Sequence, residues 1–201
     1  MNKEQFEKWI EDVFIGFKTR YEELHESPWS KMPHENNLMI DIVSLSVAYG
    51  YQVFTECYYQ GQRRDVLILN KDEKWVMQIE LKHVYYKNSS ELKEISDIDR
   101  ILDENWLTTY ISDTLKPKLD VQNYKKYGLF IGIGHSWMYK WWLAISSDVQ
   151  KKNLLGHGPE LETYYNALKE RWSTKNTQKG LLPREIDSDQ LWLIYFLRAF
   201  A

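Results

Sequence analysis

Between residues 51 and 83, three runs rich in β-branched and aromatic residues, YQVFTECYY, RRDVLIL and WVMQIELKH, are separated by the short polar turns QGQ and NKDEK. Runs of that length and texture read as strands, and turns that short bring neighbours side by side in opposite directions. The segment therefore predicts a three-stranded antiparallel meander. A hairpin turning through residues 70–75 pairs Leu69 with Val76. A sheet of this kind needs a cover.

Covering elements are legible on both sides of the meander. In residues 4–24, Phe6, Trp9, Ile10, Val13, Phe17, Tyr21 and Leu24 recur at helical intervals among Lys and Glu, which predicts an amphipathic helix. Pro28 and Pro33 break the pattern, and a second helix is predicted from Glu35 to about Tyr49, ending at Gly50. Two helical stretches are expected between Glu91 and Leu119, then a strand over YGLFIGIG at 127–134. In residues 135–201 the pattern is weaker: a strand or helix around WMYKWWLAI, a helix near Glu160–Trp172, and a final apolar segment LWLIYFLRAF. With 43% hydrophobic and 27% charged residues and no linker, residues 1–201 are expected to form one domain. The fold class is α/β, a central mixed sheet flanked by helices.

Composition narrows the function. No apolar stretch reaches the roughly 18–20 residues needed to span a bilayer, and MNKEQFEKWIEDVF lacks a signal-peptide pattern, so a cytoplasmic location and no membrane partner are expected. Cys57 is the single cysteine, which excludes an intramolecular disulfide and a multi-cysteine zinc site. With a net charge of −3, binding to nucleic acid requires a local basic patch. The nine Trp are read first as core material.

The chemistry centres on Asp65, Glu80 and Lys82. Alternate residues of a strand share a face, so Glu80 and Lys82 project together roughly 6.5–7 Å apart. With Leu69 opposite Val76, Asp65 falls opposite Glu80, with Cβ atoms about 4.5–5.5 Å apart. Two carboxylates so close call for a cation between them, and hard oxygen donors suit Mg²⁺ or Mn²⁺. Such an ion activates water and neutralises a phosphate under in-line attack, with Lys82 as a point charge beside it. The tripeptide (D/E)-x-K alone carries no weight, because Asp72-Glu73-Lys74 and Glu91-Leu92-Lys93 satisfy it too. Glu80-Leu81-Lys82 differs by ending an apolar strand one hairpin after an Asp-led strand.

This arrangement, in residues 35–82, resembles the PD-(D/E)XK nuclease superfamily, with its restriction-endonuclease-like core. The resemblance implies that Asp65 and Glu80 bind the metal with the Leu81 carbonyl, that Lys82 is the catalytic lysine, and that Glu35 is an auxiliary acid on the preceding helix. Glu56, in VFTEC, stands where such strands often carry another acid. Arg64 replaces the name-giving proline. The implied function is a Mg²⁺-dependent nuclease acting on DNA, and a homodimer is compatible with it. Arg63, Arg64 and Gln78 are the residues expected to touch nucleic acid, with packing or plain exposure the other reading of Gln78, and Lys116, Lys118, Lys125 and Lys126 form a further basic group read as a solvated face.

Other readings stay open at this point. Asp65 and Lys82 can form an ordinary cross-strand ion pair, and Glu35 is favoured in a first helical turn by the helix dipole alone. No histidine shows ligand spacing, and Gly128, Gly132 and Gly134 are better explained by close sheet packing than by a phosphate loop. The rival function is a non-catalytic nucleic-acid-binding or protein-interaction module on a nuclease-like fold.

Overall fold

A computed structural model describes residues 1–25, 35–83, 101, 104–115, 123–134, 177–186 and 189–200. Helix α1 spans Lys3–His25 and α2 spans Glu35–Ala48. The first begins on a reciprocal cap, in which Asn2 Oδ1 accepts the Gln5 N–H and Gln5 Oε1 accepts the Asn2 N–H, both at 2.9 Å. The second stops where Gly50 takes φ 80° and the Tyr51 N–H returns to the Ser46 carbonyl at 2.9 Å. Gly tolerates that left-handed turn, and the chain is redirected into the sheet.

Strands β1 (Gln52–Tyr59), β2 (Gln62–Asn70) and β3 (Trp75–His83) form the expected meander. The first turn places Gln60 and Gly61 at φ 50° and 77°, the left-handed pair that matches strand twist. In the second, Asn70 Oδ1 accepts the Asp72 and Glu73 N–H groups at 2.9 and 3.0 Å. Leu69 lies opposite Val76, as the spacing predicts. The crossover carries α3 (Glu104–Tyr110) and a wider helical turn over Ile111–Leu115. β4 (Lys125–Gly134) then enters parallel to β3, and with the hairpin β5 (Thr177–Ile186) and β6 (Asp189–Ala199) the described residues form a mixed six-stranded sheet in the order β1-β2-β3-β4-β6-β5.

Each face of the sheet has its own core. Phe6, Trp9, Phe14 and Phe17 of α1 and Leu38 and Ile42 of α2 are buried against Val66, Ile68, Met77, Ile79 and Leu81. On the other face Leu67, Leu69 and Val76 pack with Trp106, Leu107 and Tyr110 of the crossover. This double cover explains why β4 and β6 read as nearly continuous apolar runs. The final segment LWLIYFLRAF is therefore a strand. β5 was not legible because it contains Gly180 and Pro183, which weaken a strand signal, and the sheet tolerates them because β5 is an edge. WMYKWWLAI and the helix expected near Glu160–Trp172 lie outside the described residues. No helix among the described residues is long and apolar enough to cross a membrane.

Two positions give quantitative tests of this packing. A Cβ on Gly128 would sit 2.2 Å from the Ile101 carbonyl oxygen, so the bare Cα at this point of β4 admits the crossover backbone. Gly128→Ala should cost about 1–3 kcal/mol in a denaturant titration. Between the helices, Arg20 meets Asp41 Oδ1 at 2.7 Å, yet burial pushes the Asp41 carboxyl up to about 6 against the opposing pull of Arg20. An acid raised in the folded state contributes stability that is full below its unfolded pKa, near 3.8, and is lost as pH rises through about 6. Stability should therefore fall between pH 4 and pH 6 by at most about 3 kcal/mol, seen as a lower melting temperature, and Asp41→Asn should flatten that slope.

Candidate functional site

The end of the β2–β3 ladder holds the residues that carry chemistry. Along β3, Trp75, Met77, Ile79 and Leu81 face α1 and α2, so by alternation Gln78, Glu80 and Lys82 share the opposite face. The N–H and C=O groups of Ile79 and Leu81 point sideways at β2. The ladder's last pair is Val66 with Ile79. Beyond it, the Leu81 N–H donates to Asp65 Oδ2 at 2.8 Å. A side-chain carboxylate has taken the place of a backbone carbonyl.

The reason lies in a break of alternation on two strands at once. Phe54 and Cys57 of β1 both join the core on the crossover side. On β2, Leu67 does the same, and Arg64 lies over the Trp106 ring at 4.5 Å. Residues three apart in a regular strand face opposite ways, so each strand carries a residue out of the pleat between them. The pairing register skips from Thr55–Val66 to Cys57–Arg64, passing over Glu56 and Asp65. Glu56 has φ 53°, a conformation that costs a non-glycine residue energy. The bulge turns the Asp65 carboxylate toward β3.

Charge is compensated in two groups. Glu80 is 3% exposed, and Lys82 Nζ lies 3.4 Å from its Oε1. Asp65, 9% exposed, has Arg63 at 3.8 Å, and the same guanidinium meets Glu56 Oε2 at 2.8 Å. Glu56 is thus an anchor for Arg63, whose guanidinium links it to Asp65. Glu35 opens α2, in the layer on the other face of the sheet from Glu80 and Lys82.

The donors at this end of the ladder are oxygens, the ligand type of a hard divalent cation. Because the N–H and C=O of one strand residue point to the same neighbour, the Leu81 carbonyl faces β2 beside Asp65. Asp65, Glu80 and that carbonyl are hard oxygen donors of the kind Mg²⁺ takes, and they are the groups that would hold it at this end of the ladder. Among the described residues no group of three or more His, Cys, Asp or Glu side chains is placed to hold a metal, so the set depends on the main-chain oxygen.

Comparison with family models, curated proteins and solved structures returns no match. The site therefore stands on its own geometry.

Two residues expected at a nucleic-acid surface are interior. Arg64 and Gln78 are both 0% exposed. Arg64 Nε donates to Gln78 Oε1 at 3.3 Å, and Gln78 Nε2 donates to the Ile101 carbonyl at 2.8 Å. Gln78 does share a face with Glu80 and Lys82, but the crossover covers it. Arg63, with its side chain 60% exposed, keeps access to a ligand. Lys125 and Lys126 pair with Trp75 and Val76, at the far end of β3 from Lys82, roughly 20 Å away at the rise of a strand. Lys116 and Lys118 lie outside the described residues. The bulge at Glu56 had no sequence signal, since neither Gly nor Asn marks it.

Substitution of Asp65 separates its hydrogen bond from its charge. Asp65→Asn retains an oxygen for the Leu81 N–H and should be close to wild type in stability. Asp65→Ala strands that buried donor and should cost about 1–3 kcal/mol in chemical denaturation.

Proposed function

We propose that the chain is a divalent-metal-dependent nuclease that hydrolyses phosphodiester bonds in DNA, on a restriction-endonuclease-like core. The observation that carries this reading is the contact of Asp65 with the Leu81 amide, which brings one buried acid to the stretch of β3 from which Glu80 and Lys82 project. The element order agrees with it: a helix, three antiparallel strands, a helical crossover and a further strand. Asp65, Glu80 and the Leu81 carbonyl would hold Mg²⁺ or Mn²⁺. Bound there, the ion would neutralise phosphate charge and lower the pKa of water.

The chain's own groups have distinct tasks. Lys82, on the same face as Glu80, places an ammonium where it can orient water or meet charge on a phosphate oxygen. Its contact with Glu80 holds it beside that acid. Arg63, anchored by Glu56, offers a guanidinium to a neighbouring phosphate and so fixes the strand to be cut. The choice of DNA rests on the family resemblance, whereas the residues themselves support metal and phosphate chemistry.

Internal compensation of the charges, Lys82 with Glu80 and Arg63 with Glu56 and Asp65, favours the second reading, a non-catalytic module on the same fold. Incubation with plasmid and linear DNA decides between them. With Mg²⁺ or Mn²⁺ the wild type should cleave, EDTA should abolish cleavage, and Asp65→Ala and Lys82→Ala should each reduce the rate roughly 100-fold or more. Equal cleavage by all three proteins indicates contamination, and no cleavage of DNA or RNA supports the module.

A further inference from the structure

Arg64 is among the largest fully buried side chains of the protein, although burying a guanidinium is expensive unless its donors are satisfied. Each nitrogen has a partner: Nε on Gln78 Oε1 at 3.3 Å, Nη1 on the Arg63 carbonyl and Nη2 on Gln62 Oε1, both at 3.1 Å. Its plane lies over Trp106, 4.5 Å from the ring centroid. One side chain thus joins β2, β3 and α3 beside the bulge. Its neighbour in sequence is Asp65, and Gln78 lies one pleat before Glu80.

We propose that Arg64 is a positioning residue that sets the rotation of Asp65 and its distance from Glu80. Drawing residue 64 onto the crossover side takes Asp65 out of the pleat, which aims its carboxylate at the Leu81 N–H. The Arg64–Gln78 hydrogen bond then ties the part of β2 beyond the last ladder pair back to β3 at Gln78, which is itself still paired with Leu67. A flat guanidinium with separated donors can do both, whereas the compact ammonium of lysine cannot reach the same acceptors together. The geometry stands without a metal; its consequence for cation binding rests on the proposed function.

The test measures hydrogen exchange at β3 amides by NMR, and Mn²⁺ affinity by calorimetry, for the wild type, Arg64→Met and Arg64→Lys. In Arg64→Met the Leu81 amide should lose protection while Met77 and Ile79 keep theirs, and Mn²⁺ affinity should fall roughly 10–100-fold, as when a metal ligand loses its support. Arg64→Lys should lie between. It carries the measurement if the methionine variant does not fold. Wild-type protection of Leu81, or unchanged Mn²⁺ affinity, in a folded variant overturns the proposal. A wild type that binds no Mn²⁺ overturns the cation-holding role and the proposed function together, and the Leu81 amide still decides whether Arg64 holds Asp65.

Discussion

The hydrogen bond from the Leu81 N–H to Asp65 Oδ2 stands at the point where two requirements of the fold meet. A buried backbone donor at the end of a ladder needs an acceptor, and a buried carboxylate needs donors or a cation. Each supplies the other's need. The same contact forces the local geometry of the site, because a carboxylate can enter the plane of a sheet only if its residue leaves the pleat. The left-handed Glu56 on the adjacent strand is the counterpart of that departure.

Support for this strained corner comes from both layers. On one face, α1 and α2 press large apolar side chains onto Val66, Ile79 and Leu81, which hold the two strands together up to the last regular pair. On the other, the crossover inserts the Ile101 carbonyl between Gln78 and the bare face of Gly128, and lays Trp106 under Arg64. A closely packed interior leaves little room for side chains at such a place to shift. The parallel entry of β4 beside β3 follows from the same crossover, since a parallel neighbour needs a connection long enough to return the chain.

Much of this was legible from local pattern. Period 3.6 in α1, the proline and glycine boundaries of α2, and the two short turns of the meander each act over a few residues, and the Leu69–Val76 register follows from turn length. Glu80 and Lys82 share a face for the same reason. A charged or polar residue in a strand ordinarily faces water, and the burial of Arg64 and Gln78 depends on Trp106 and Ile101, which arrive from more than twenty positions away. The strand β5 was hidden because Pro183 violates strand preference, and only an edge position in the assembled sheet makes it acceptable.

The sequence by itself determined the helices flanking the meander, the pairing of its strands and the common face of Glu80 and Lys82, because turn length and side-chain alternation are local constraints. The tertiary structure alone decided that Asp65 leaves the pleat to meet Leu81, that Glu56 belongs to Arg63, and that Arg64 is interior. Those outcomes turn on which buried donors and acceptors remain after distant segments have packed, a condition that no single stretch of chain contains.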